Sequence, residues 1–148
     1  MRISATGRYA LAAAMELARE FSGGASTTVI SIAERLAISK IYLEQVFALL
    51  RRGGIVSSQK GAQGGYLLTH PPREISAYDV LFAVEIALFQ KAEPTVPEKA
   101  PQVDAALDSL VFSPLDAAVR EALSRVSLED LAMEAEKNGD TESLMFFI

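Results

Sequence analysis

Cysteine is absent from this 148-residue chain, and His70 is its only histidine. Without thiols there are no disulfides, thiolate zinc sites, cysteine-ligated iron–sulfur clusters or cysteine nucleophiles. A Ser-His-Asp triad would rest on His70 alone, which precedes Pro71 and Pro72 at a predicted surface turn. No catalytic residue, metal ligand or cofactor is therefore assigned, and the chain does not read as an enzyme. Long apolar runs are lacking too. The stretch from Tyr9 to Met15 is far shorter than the roughly 18–20 residues of a membrane span. The N-terminus leads into a charged helix, not a signal-peptide core, so the expectation is a cytoplasmic protein with no membrane partner.

What is present is an ordinary globular composition, 50% hydrophobic and 22% charged, at a length that suits one compact domain or a small domain with an arm. The net charge of −5 argues against a polyanion partner only as an average. Residues 1–73 carry nine Lys/Arg against four Asp/Glu, whereas the remaining 75 carry five against fifteen. Attraction to phosphate acts over about one Debye length, ~8–10 Å at physiological salt, so a basic face can bind nucleic acid while a distant acidic half sets the overall charge. Chance asymmetry between two surfaces is the plainer reading of the same numbers.

Periodicity supplies the architecture. Ala10, Ala14, Leu17 and Phe21, with Leu11, Met15 and Ala18 beside them, predict a first helix from about Ser4 to Phe21, ended by Ser22-Gly23-Gly24. Thr27–Ile30 reads as a short strand. Ser31-Ile32-Ala33-Glu34 reads as a capping box opening a short helix, and Ser39 as a second N-cap eight residues on, a helix-turn-helix pattern. The third helix, Lys40 to about Arg52, turns Leu43, Phe47, Leu50, Tyr42, Val46 and Leu49 inward. Its outer side carries Lys40, Ile41, Glu44, Gln45, Ala48, Arg51 and Arg52, and Gly53-Gly54 supplies the stop. Two short β segments around the glycine-rich turn Lys60–Gly65 predict a hairpin. A fourth helix starts at Ser76 with Asp79 at its third position. Gln90–Pro101 reads as a loop; then come apolar stripes, a helix start at Ser113-Pro114, a last helix from Ser127 and a break at Asn138-Gly139-Asp140.

The fold expected is mainly α with a small β-hairpin wing: a winged helix-turn-helix plus C-terminal dimerisation helices. Its divisions are 1–89 as the winged-helix DNA-binding domain, 90–101 as a proline-rich linker, 102–138 as dimerisation helices and 139–148 as a tail. A helix with a polar outer face fits the major groove, with a hairpin beside it. Candidate DNA-binding residues are Arg8, Ser39, Lys40, Glu44, Gln45, Arg51, Arg52, Lys60, Gly61 and Gly64. Arginines and the wing lysine suit phosphate, while Lys40 and Gln45 suit base edges. Glu44 is repelled by phosphate and needs a specific return, such as accepting from a cytosine amino group; a weak Lys40–Glu44 surface pair is the alternative. Arg51 and Arg52 could equally just complement a helix end. Tyr9, Tyr42 and Tyr66 fall on inward faces and read as packing residues, with a hydroxyl contact from Tyr9 or Tyr42 to phosphate as the alternative.

The stretches Met1-Arg2-Ile3-Ser4, Gly7-Arg8-Tyr9-Ala10-Leu11, Ile38-Ser39, Tyr42-Leu43-Glu44-Gln45 and Gly64-Gly65-Tyr66-Leu67-Leu68 make the chain resemble the iron–sulfur cluster regulator (IscR/NsrR/CymR-type) family of bacterial winged-helix transcriptional regulators. The match is strong over residues 1–88 and looser beyond, where Ser127–Ala132 is similar to the family's last short helix. The resemblance implies a homodimer joined by a long helix, a recognition helix beginning near Ser39 that reads DNA through Glu44 and Gln45, and a wing contact at Lys60. Cluster-binding members of that family place three cysteines and often a histidine between the fourth helix and the dimer helix; the corresponding stretch here, about Ala87 to Ser109, has neither, so no cluster is expected.

The function expected is thus a cluster-free regulator, a repressor, binding double-stranded DNA as a homodimer on a pseudo-palindromic operator. A winged-helix protein-interaction module with little DNA affinity is the alternative. Dimerisation is assigned to Val103, Leu107, Leu110, Leu115, Val119 and Ala122. A small-molecule effector or protein partner near the linker and dimer helices is left open.

Overall fold

The computed structural model describes residues 2–61 and 64–147. Ala62 and Gln63 of the predicted hairpin turn, and Ile148 of the tail, lie outside them.

Ser4 caps helix α1 (Ala5–Arg19), its hydroxyl accepting from the Gly7 amide at 3.1 Å. This satisfies one of the amides that a helix start leaves without a partner. The predicted strand over Thr27–Ile30 contracts to a single bridge, Thr27 to Tyr66, and helix α2 (Val29–Leu36) begins earlier than expected. Thr28, not Ser31, is its cap, accepting from the Ser31 amide at 3.1 Å. Ser31 instead accepts from Arg35, which also reaches Glu16 at 3.0 Å and Glu20 at 2.9 Å and ties α2 to α1.

Ala37 in the left-handed conformation turns the chain from α2 into α3 (Lys40–Arg52), capped by Ser39. Leu43, Val46, Phe47 and Leu50 are buried, with Tyr42 and Leu49 half-buried beside them. Two glycines stop the helix. Gly54 takes a φ of 79°, which a side chain would strain, and a Cβ on Gly53 would collide with that of Ala83.

Strands β1 (Val56–Ser58) and β2 (Tyr66–Leu68) pair antiparallel, Val56 opposite Leu68 and Ser58 opposite Tyr66. Helix α4 (Ala77–Val84) opens with a reciprocal box between Ser76 and Asp79 and buries Val80 and Leu81. Helix α7 (Leu128–Phe147) opens likewise on Ser127 and Asp130. It packs on α1, with Leu128 fully buried. No break occurs at Asn138-Gly139-Asp140: the helix runs on, and a Cβ at Gly139 would meet open space.

Nor does Ser113 cap a fresh helix ahead of Pro114. Helix α5 (Pro101–Leu107) passes through a π turn (Asp108–Phe112) directly into α6 (Ser113–Ser124). Pro114 has no amide to donate to the carbonyl of Leu110, and its ring crowds that carbonyl. The chain takes up one extra residue, and the Ser113 amide bonds to the Asp108 carbonyl instead. Residues 90–100 carry no regular structure, but the Thr95 and Val96 amides donate to the Asp104 carboxylate, fastening the segment to the first turn of α5.

The core is one cluster drawn from α1–α4, the hairpin, Ile55, Ile75 and Leu128. Among the described residues no helix is long and apolar enough to cross a membrane.

Candidate nucleic-acid interface

Because α3 buries one side against α1, α2 and α4, its other side is presented whole. Lys40, Ile41, Glu44, Gln45, Ala48, Arg51 and Arg52 are all exposed. Ser39 is exposed as well, but its hydroxyl is directed at the Tyr42 amide as the helix cap, leaving it a positioning role there. Arg51 and Arg52 stand in the last helical turn, where they also complement the dipole.

Lys40 and Glu44 form an ion pair at 3.5 Å, both side chains about half exposed, at 54% and 51%. The alternative to base contact is therefore realised in the free protein. An exposed pair of this kind contributes ~0.2–1 kcal/mol, little enough for a stronger partner to exchange with it. Opening it would free both a carboxylate acceptor and an ammonium donor on the same face.

The hairpin is held at a fixed angle to this helix. The Tyr66 ring stacks on that of Phe47, and the Tyr66 amide and carbonyl both bond to Thr27 at 2.9 and 3.0 Å, adding a third segment to the ribbon. A Cβ on Gly65 would press on Ser26 and on the Thr27 carbonyl, so only glycine lets the wing lie this close. Gly61 and Gly64 turn the tip, the Gly64 amide donating to Gly61 at 3.2 Å, and a Cβ on either would meet open space. Lys60 is exposed beside them.

Between α2, α3 and the wing lies an open hollow of about 390 Å³, with Ile30, Lys40, Glu44, Ser58, Gln59 and Tyr66 on its walls. The structure thus brings Lys40, Glu44, Gly64 and the wing together. Arg8 is exposed in the first turn of α1, a turn that meets α3. There the Thr6 and Tyr42 hydroxyls share a hydrogen bond of 2.8 Å, and the Tyr9 ring meets that of Tyr42 edge-on at 5.3 Å. Tyr42 and Tyr66 pack against the core as expected, whereas Tyr9 is 38% exposed. Sequence reasoning missed Ile30, Ser58 and Gln59. Ile30 belongs to a β-branched run that reads as a strand, and Ser58 and Gln59 carry no charge to mark them.

A cluster cofactor does not fit this chain. The segment between α4 and α5 offers neither cysteine nor histidine, and the Asp104 carboxylate in the first turn of α5 is occupied by two backbone amides. His70 bonds to the Thr69 hydroxyl just beyond the end of β2.

A family model described as Rrf2, iron-dependent transcriptional regulator, matches residues 3–134. The HTH-type transcriptional regulator CymR of Bacillus subtilis is 35% identical over 153 aligned positions, covering all of both chains. The IscR regulator of Photorhabdus laumondii is 35% identical over 92% of this chain and 82% of its own. Among solved structures, CymR of B. subtilis superposes with a TM-score of 0.72 at 34% identity, covering 90% of this chain and 98% of that one. The T. potens IscR structure reaches 0.68 at 32% identity, over 93% and 90%. The winged helix, its open α3 face and these relatives, named as regulators and not as enzymes, agree: the chain belongs to the Rrf2 family and is a DNA-binding transcriptional regulator.

Proposed function

We propose that the protein is a cytoplasmic repressor that works without an iron–sulfur cluster, as a homodimer reading a pseudo-palindromic operator. The observation that carries the DNA-reading part is the wholly exposed, mostly polar side of α3 set against a wing that Phe47 and Tyr66 hold in place. Glu44, Gln45 and Lys40 face base edges, with Glu44 leaving its ion pair to accept from cytosine. Arg8, Arg51, Arg52 and Lys60 neutralise phosphates, and Gly61 and Gly64 let the wing tip close on the backbone.

The dimer rests on the α5–α6 rod. Val103, Leu110 and Leu115 are 45%, 79% and 53% exposed, with Ala122 also at the surface and Leu107 and Val119 half-buried. A contiguous apolar stripe of this kind in water marks an interface. Two-fold pairing through it would present two α3 helices to one face of a duplex, with half-site centres about 34–36 Å apart or a multiple. We assign any effector or protein partner to the junction of the Ile86–Phe89 turn and α6. There Leu88, Phe89, Leu115 and Val119 wall a hollow of about 130 Å³.

Selection of bound fragments from a pool of random duplexes tests this reading. It is expected to enrich an inverted repeat with that spacing, and enrichment of nothing would overturn it. Sedimentation of the free protein is expected to show a dimer, which Leu110→Glu should dissociate.

A further inference from the structure

We infer that Ile41 is a base-reading residue that packs on the C5-methyl group of one thymine in each operator half-site, an inference that rests on the DNA-reading role proposed above. Ile41 is 71% exposed and takes no part in the core cluster. Lone exposed apolar side chains are common on protein surfaces, so exposure by itself decides nothing. Position decides. Ile41 precedes Glu44 by three residues and Gln45 by four, so all three share one face of α3, and the exposed Ala48 continues that face a turn later.

A β-branched residue offers the first helical turn no gain in propensity over a polar one, and on a solvated face it contributes no packing. Its gain must come from what covers it. Phosphate and sugar offer an isoleucine nothing that a polar side chain would not bind better. In the major groove the one apolar feature of a base edge is the thymine methyl group. The face then reads as a set: Glu44 suits the cytosine amino group, Gln45 suits adenine, and Ile41 suits thymine.

The test uses the duplex recovered by selection from a random pool. Each thymine of one half-site is replaced in turn by deoxyuridine, which removes the methyl group and leaves the pairing edge unchanged. Binding of wild-type protein and of Ile41→Ala is measured by fluorescence anisotropy. For the wild type, one thymine is expected to weaken binding about fourfold on demethylation, the factor for exposing a single buried carbon. Ile41→Ala is expected to bind the thymine duplex more weakly and to show no further loss with deoxyuridine. Since the side chain is exposed, this variant keeps its fold, which circular dichroism checks. A selected duplex with no methyl-sensitive thymine, or a sensitivity that Ile41→Ala retains in full, overturns the inference while the DNA-reading role stands. Failure to enrich any sequence overturns both.

Discussion

The ring of Phe47 on α3 lies face to face with that of Tyr66 on β2, centroids 4.5 Å apart and planes within 9°. This contact joins the helix and the wing that together make the candidate interface, so damage there should affect both stability and DNA binding. Tyr66→Ala removes a half-buried ring and its stacking, a loss of about 1–3 kcal/mol in chemical denaturation. Its DNA affinity is expected to fall even at temperatures where the variant remains folded, whereas Tyr66→Phe keeps the ring and should stay near wild type in both measurements.

The approach of α3 to α4 is set by Gly53, where any Cβ would overlap that of Ala83. Gly53→Ala overpacks this contact and should cost about 1–3 kcal/mol. Adding Ala83→Gly should recover only part of it, because the Ala83 backbone is also close and glycine weakens a helix interior by up to ~1 kcal/mol. Urea midpoints of the two variants check both statements.

Glu44 should govern preference more than affinity. Glu44→Ala removes a half-exposed carboxylate that pairs with Lys40. Selection with this variant is expected to relax one base position in each half-site, while the salt dependence of binding stays unchanged. An unaltered motif would remove Glu44 from the reading face.

Acid stability has one identifiable local contribution. The Ser127 amide donates to the Asp130 carboxylate at 2.9 Å, and this, with hydrogen bonding by the Ser127 side chain, holds the carboxyl below its ordinary value of 3.8. A folded-state pKa that is depressed stabilises above the unfolded value and is lost as pH falls through the folded one. Asp130→Asn should therefore flatten the decline in thermal midpoint below about pH 4. The effect is small because the group is exposed and screened.

Much of this fold is local chemistry, and that part can be read from the sequence. Ser4, Ser39, Ser76 and Ser127 start helices where expected, because a hydroxyl at a cap needs only the next turn. The outer side of α3 is legible for the same reason, since a 3.6-residue period sorts its residues without reference to anything distant. What fails depends on longer range. The β-branched run at Thr27–Ile30 suggests a strand, but only Thr27 finds a partner in Tyr66, and Thr28 is drawn into capping α2. Pro114 suggests a helix start, yet the rod absorbs it through one π turn. The Phe47–Tyr66 stack and the hollow at Ile30 and Gln59 arise only when separate elements meet, so no spacing announces them.

The α3 face and its wing are expected to sit on a double helix. The most direct test is the salt dependence of binding to the selected duplex, for the wild type and for Arg51→Ala, Arg52→Ala and Lys60→Ala taken singly. The logarithm of the binding constant should fall linearly with that of salt, with a slope of about −0.9 for each phosphate neutralised. Each variant should make the slope shallower by about one, with weaker binding across all sequences. A slope near zero, or slopes indifferent to all three substitutions, would contradict the account.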